Sequence, residues 1–286
     1  MTGASIALLG IDGAGKSSLI TPLREALHGA GKDTVQVGWK AALAEGAGDD
    51  TYPGVSLQQL YVEAWRLFFA GSTVSGGHAV DQLLPRHYSD FEQSTVMAEL
   101  DGPPVGTKPS GLLASAMVEF TVDYVLQAEV VRPAMRDGRV TVADGFGFKN
   151  VTKVLRLAGE LPGGGELRDA LDSLIEFVGS AYSSPFLQPS IGIFLDVAPE
   201  MAYEWRMRQG GLGFGEDYGV AGRSGRDSYL DLQTTMSNEY RRMARDWGWL
   251  TVEVAGLSQP EVASAVCGAV LSHPAVSHTP DSRTRG

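Results

Sequence analysis

The segment Gly10-Ile11-Asp12-Gly13-Ala14-Gly15-Lys16-Ser17 satisfies G-x-x-x-x-G-K-[ST] at every fixed position. An apolar run, Ser5 to Leu9, precedes it and an amphipathic stretch follows, so strand, glycine turn and helix succeed one another directly. In that setting the glycines let backbone N–H groups turn inward around one anion. The lysine ammonium then reaches the outer phosphates and the serine hydroxyl can ligate Mg²⁺. Asp12, Gly13, Ala14, Gly15, Lys16, Ser17 and Ser18 are the candidate phosphate-binding residues, with Ser18 either a further ligand or a helix-start hydroxyl.

Beyond this loop, short apolar or β-branched runs alternate with longer helical patterns, which predicts an α/β protein with a parallel sheet. Five strands are expected, at Ser5 to Leu9, Thr34 to Val37, Arg139 to Ala143, Ser190 to Asp196 and Leu250 to Val254. Their near-continuous apolar character suits strands buried on both faces, with helices covering each. Helices are expected at Lys16 to Gly29, Leu57 to Ala70, Gly111 to Asp137, Glu166 to Ser180, Pro199 to Gln209, Ser228 to Trp247 and Gln259 to Leu271. The stretch from about 40 to 110 reads as an insertion over the sheet edge within a domain spanning 1–272. The glycine-rich runs Gly71 to Gly77 and Gly210 to Gly225 read as mobile loops, and 273–286 as a disordered tail.

Acidic residues outnumber basic ones by 34 to 23, a formal charge of −11. That balance disfavours nucleic acid or an anionic membrane as the main partner, and no apolar run approaches the roughly 18 residues of a membrane span. The first residues lack a basic segment before a short apolar run, so export is not expected and a cytoplasmic location is. The single Cys267 fits that compartment as a small buried hydrophobe, and His78 and His87 have no partner at zinc-ligand spacing. A small anion remains the favoured ligand, and a homodimer is left open. Arg206 to Arg245 holds seven arginines against five carboxylates, a locally positive stretch in an acidic chain.

The phosphate loop alone leaves several nucleotide-dependent classes open. No N-K-x-D guanine-reading motif is found, and no D-x-x-G stands at the end of the third strand, which weakens a GTPase reading. A small-molecule kinase needs an acid at a neighbouring strand end and a mobile arginine-bearing lid. Asp144 ends the run Arg139-Val-Thr-Val-Ala, at the edge where sheets of this kind bind ligands. It is the candidate second-site acid and, with Ser17, the candidate Mg²⁺ ligand. Arg206 and Arg208 on the helix after Pro199, with Arg223 and Arg226 in the glycine-rich loop, form the candidate lid at about 206–227.

At this point the chain resembles the thymidylate kinase family. The resemblance rests on Ile11 to Ser17, on Val130-Val131-Arg132-Pro133-Ala134-Met135-Arg136-Asp137-Gly138 before Thr141-Val142-Ala143-Asp144, on Ile193 to Glu200 with Arg206, and on Ser228 to Trp247. It covers about two thirds of the chain and is weak between Lys40 and Gly111. It implies a P-loop NTPase-type, doubly wound, five-stranded parallel sheet with helices on both faces, an acceptor-side insertion and an arginine-bearing lid. It implies ATP and Mg²⁺ as cofactors, a small-molecule phosphoryl acceptor, and catalytic roles for Lys16, Asp144, Arg206, Arg223 and Arg226.

The chain departs from the family where acceptor phosphate is read. Gly145 follows Asp144 where the family has arginine, and Phe120-Thr121-Val122-Asp123-Tyr124 replaces a segment with an acceptor-facing arginine. Thymidylate is therefore not the expected substrate. A phosphate acceptor would need substitute cations, for which Arg66, Arg86, Lys40 and Lys149 are available; a hydroxyl acceptor needs a carboxylate, for which Asp123 or Asp144 serves. Glu119 and Asp123 share a helix face at i,i+4. Trp39, Tyr61, Trp65 and Phe68 are read as core aromatics before stacking residues. A catalytically silent nucleotide-binding regulator is the alternative.

Overall fold

The computed structural model describes residues 3–45, 51–74, 77–93 and 105–277. Five strands, β1 (Ser5–Leu9), β2 (Thr34–Val37), β3 (Val140–Ala143), β4 (Ile191–Asp196) and β5 (Leu250–Glu253), form one all-parallel sheet in the order β2-β3-β1-β4-β5. The strands fall within a residue of the sequence expectation because each is an apolar run bounded by glycine, serine or a charged turn. Every residue of β1 is buried, as is all of β4 except Asp196. β1 lies between β3 and β4, so the chain winds outward in two directions from it. The loop after β1 therefore opens at the carboxyl edge where the strand order reverses, the usual ligand position in open parallel sheets.

Helix Lys16–Gly29 buries Leu19, Ile20, Leu23 and Leu27 and packs against β2, β3 and helix Gln259–Ser272. Helix Arg226–Asp246 packs against β4. The expected single helix from Gly111 to Asp137 is instead helix Pro109–Leu126, a widened π turn at Gln127–Val131, and helix Arg132–Arg136. Pro133 lacks the N–H that would bond to the Glu129 carbonyl, so the regular ladder cannot run through it. Helix Phe148–Glu160 was not anticipated, although Val151, Val154, Leu155 and Ala158 make a buried helical stripe along it.

In the insertion, helices Trp39–Glu45 and Gly54–Phe68 lie beside Pro109–Leu126, and helices Val80–Leu83 and Tyr88–Gln93 pack on Gly54–Phe68. Leu43, Leu57, Val62, Tyr88, Val122 and Leu126 form a second, smaller core there. One loop expectation and the tail expectation need correction. In Gly210–Gly225, Glu216, Asp217, Tyr218 and Val220 are buried and the segment is docked. The Asp217 carboxylate accepts from the N–H groups of Gly219 and Gly225, at 2.8 and 2.9 Å, and Phe214 meets Phe69 edge-on. In the tail, Pro274–Ser277 forms a helical turn because Val276 inserts into the core; 278–286 lie outside the described residues. Of Gly71–Gly77, Thr73 bridges Ala79 and Val105, and residues 75 and 76 lie outside the described residues. Among the described residues no helix is long and apolar enough to cross a membrane.

Candidate active site

The loop after β1 turns through Gly13 and Gly15, both at positive φ (80° and 83°), a conformation that costs glycine little. Gly13 is also fixed by space: a β-carbon there would stand 2.7 Å from the Ala202 carbonyl oxygen and from Arg206 Cγ, so helix Pro199–Arg208 lies directly on the loop. Lys16 Nζ donates to the Gly10 and Ile11 carbonyl oxygens at 2.8 and 2.7 Å. Ser18 Oγ donates to the Gly15 carbonyl at 2.7 Å, one turn back in the start of the helix, and Ser18 also lines the cavity over this loop.

Asp12, a variable position of the motif, carries more of the local architecture than the motif suggests. Its carboxylate receives the ammonium groups of Lys149 and Lys153, the latter at 2.9 Å, and the Gln233 amide at 3.1 Å. Its backbone is held as well: the N–H donates to Gln233 Oε1 at 3.1 Å and the carbonyl accepts the Tyr229 hydroxyl at 2.5 Å. Two helices, Phe148–Glu160 and Arg226–Asp246, thus converge on one residue of the loop. Burial opposes ionisation of Asp12, but Lys149, Lys153 and Lys16 outweigh it and hold the carboxyl well below the usual range. Burial and the repulsion of Lys149 push the Lys16 ammonium well down. Lys149 is pushed down by burial despite its bond to Asp12.

A cavity of ≈ 470 Å³ opens over this loop and brings together Asp12, Gly13, Gly15, Lys16, Ser17, Ser18, Asp123, Asp144, Lys149 and Arg206. Ala143 pairs with Ala7, so Asp144 emerges beside the start of the loop. Asp123 projects from helix Pro109–Leu126 and accepts the Tyr182 hydroxyl. Burial pushes the Asp123 carboxyl up to about 7 against that hydrogen bond, with Glu119 adding to the rise. Glu119, one turn earlier, is likewise pushed up by burial to about 7, against the pull of Lys153 and Lys149 and a hydrogen bond with Asn150.

The lid arginines divide. Arg206 lines the cavity, but both carboxylate oxygens of Glu216 occupy its guanidinium, with Nε at 2.8 Å from Oε2. Arg223 turns outward to Glu160 (2.8 Å) and Asp231 (3.4 Å) and covers the Tyr218 ring, while Arg226 faces Asp227 and Tyr203. Neither meets the phosphate loop. The loop closes on Asp217 and Ser228, and that path carries residues 223–226 away from the cleft. Of the other basic candidates, Arg208 pairs with Glu204 and Arg66 with Glu63, both on the surface, and exposed Arg86 lines neither cavity.

A second cavity of ≈ 370 Å³ adjoins the first, sharing Gly38, Trp39, Glu119, Asp144 and Asn150 with it. Its remaining walls include Lys40, Tyr61, Trp65, Phe68, Ser115, Lys153 and Phe214. The aromatics expected to be core residues therefore present part of their surface to a void. Among the described residues no arginine lines this cavity. A third hollow of ≈ 440 Å³, mostly apolar, lies behind the phosphate loop between Ala14, Gly15, Ser18, Trp205 and Pro260. Among the described residues, no group of three His, Cys, Asp or Glu side chains is placed to hold a metal ion. Lys153 was missed at the sequence level, although its i,i+4 spacing from Lys149 just beyond Asp144 was a readable signal. No protein-family model matches this chain, and no curated protein matches it.

Proposed function

We propose that the chain is a P-loop NTPase-type phosphotransferase, doubly wound and similar in scaffold to the thymidylate kinase family. It transfers the γ-phosphoryl group of ATP to a hydroxyl of a small molecule. The observation that carries this reading is the meeting of two cavities at Asp144, Glu119 and Asn150, with phosphate-loop residues on one side and an aromatic-walled space on the other.

The residues present fit ATP and Mg²⁺. Three lysines, Lys153 buried and Lys16 and Lys149 half-buried, stand near the loop, and Lys149 and Lys153 share one carboxylate while Lys16 donates to backbone carbonyls. Such a surplus favours a polyanionic ligand. Ser17 and Asp144 would hold Mg²⁺, which takes few protein oxygens and keeps waters and phosphates as its other ligands. The apolar hollow behind Gly15 suits the donor base. When bound, ATP supplies the phosphoryl group and Mg²⁺ neutralises charge on it.

A hydroxyl acceptor is favoured over a phosphate by the absence of arginine from the described lining of the second cavity and by the carboxylates at its mouth. A hydroxyl must lose its proton as it attacks, and Asp144, or Asp123 reached through the shared wall, is the carboxylate this reading assigns to accept it. Tyr182 orients the Asp123 carboxylate.

ATP consumption with Mg²⁺ tests the reading, run over matched acceptors that differ only in carrying a free hydroxyl or its phosphate ester. Turnover is expected with a hydroxyl form. In Lys16→Ala it should fall by about 10² or more with the fold retained, because the lysine neutralises developing charge and packs no core. Nucleotide binding with no transfer to any acceptor would instead favour a silent regulator.

A further inference from the structure

We propose that Lys149 and Lys153 form the cation clamp on the phosphoryl group in transit, with Asp12 as the residue that positions them; this rests on the phosphotransferase reading above. Helix Phe148–Glu160 begins just past Asp144, so Lys149 sits in its first turn and Lys153 one turn further on the same face. Lys149 lies on the wall of the phosphate cavity and Lys153 on the wall of the second, so the pair spans their junction. A phosphoryl group passing between the cavities passes these two ammoniums.

Both side chains are nearly closed off from solvent, 12% and 10% exposed, as is Asp12 at 9%. Burying two ammoniums against one carboxylate is costly unless further negative charge arrives. The neighbouring acids do not fully supply it: Glu216 is engaged by Arg206, and burial keeps Glu119 partly protonated at neutral pH. An incoming phosphate does. Asp12 cannot swing aside, since Gln233 and Tyr229 hold its backbone and Gln233 its carboxylate, so it fixes where the two ammoniums stand before the ligand arrives. The clamp also fills a role that Arg223 and Arg226, turned to Glu160, Asp231 and Asp227, do not take. In this role the lysines act by charge and pass no proton to the ligand.

Calorimetric binding of Mg·ATP and Mg·ADP to the full chain tests this, with Lys149→Gln, Lys153→Gln and Lys149→Arg as variants. Glutamine keeps a hydrogen bond to Asp12 and removes the charge, whereas arginine keeps the charge. A clamp on the outermost phosphate predicts that Lys149→Gln loses about tenfold or more in ATP affinity and less than about threefold in ADP affinity, with partial recovery in Lys149→Arg. Lys153→Gln should show the same bias. Equal losses for both nucleotides, or none, in the glutamine variants would overturn the clamp and leave the lysines as ties between the phosphate loop and helix Phe148–Glu160. The two variants are read independently, so loss of fold in one leaves the other to decide. A wild-type chain that binds neither nucleotide overturns the phosphate-binding reading itself, and the clamp with it.

Discussion

A β-carbon on Gly147 would stand 1.7 Å from Asp123 Oδ2, although φ at this glycine is −54°, a value any residue adopts. The requirement is therefore one of space alone, and Gly147→Ala must push the Asp123 carboxylate off the Tyr182 hydroxyl. A cost of about 1–3 kcal/mol is expected, read as a lowered denaturant midpoint. An unchanged midpoint would show that the carboxylate finds another seat at no cost. The Asp123 and Glu119 carboxyls, both near 7 in the fold, titrate near 4 when unfolded. Between about pH 4 and 7 the folded state thus binds more protons than the unfolded state, so stability falls as pH rises through that window and levels off above it. Asp123→Asn removes one of the two groups and should flatten the slope; a variant with the wild-type slope would sink the assignment.

Helix Phe148–Glu160 marks the limit of what the sequence made legible at the level of elements. The phosphate loop could be read because everything it needs lies within eight consecutive residues, and the strands because each is a local apolar run. The Lys149–Lys153 spacing can be read locally, but their meeting with Asp12 spans 137 and 141 residues, and no local pattern encodes that contact. Arg223 and Arg226 show the converse: their glycine-rich context suggests a closing lid, while buried Asp217 and Ser228 set the path of the chain here and turn both arginines to Glu160, Asp231 and Asp227. The docked lid has a testable consequence. Glu216 competes with any phosphate for Arg206 and offsets the charge of Lys149 and Lys153, so Glu216→Gln should raise Mg·ATP affinity by about three- to tenfold. Unchanged or weakened binding would mean that the carboxylate holds Arg206 in its working position.

At the scale of the whole molecule, the cleft joins a sheet edge supplied by β1 and β3 to a wall supplied by the insertion and helix Pro109–Leu126. In the proposed phosphotransferase the first cavity, which draws on β1, β3 and helix Phe148–Glu160, would take the phosphates, and the second, walled by Trp39, Lys40, Tyr61, Trp65 and Phe68, the acceptor. These parts fit acceptors differently. The aromatic wall offers apolar surface to a flat ring, while the cations at hand are Lys40, exposed, and Lys153, already bonded to Asp12. Neither presents the bidentate fork of an arginine. Arg66 and Arg86, the cations in the insertion best able to rebuild a clamp, lie outside both cavities. Each missing charge-assisted hydrogen bond is worth roughly 1.5–3 kcal/mol, so two uncompensated losses lower capture of a monophosphate acceptor by a factor on the order of 10² to 10⁴. Thymidylate is accordingly expected to be phosphorylated with kcat/KM below about 10⁴ M⁻¹s⁻¹, the lower edge of the usual enzyme range. Steady-state kinetics with saturating Mg·ATP decides it: a higher value would show that Lys40 and Lys153 read a phosphate after all, and that the carboxylates at the junction serve the acceptor's position, not its proton.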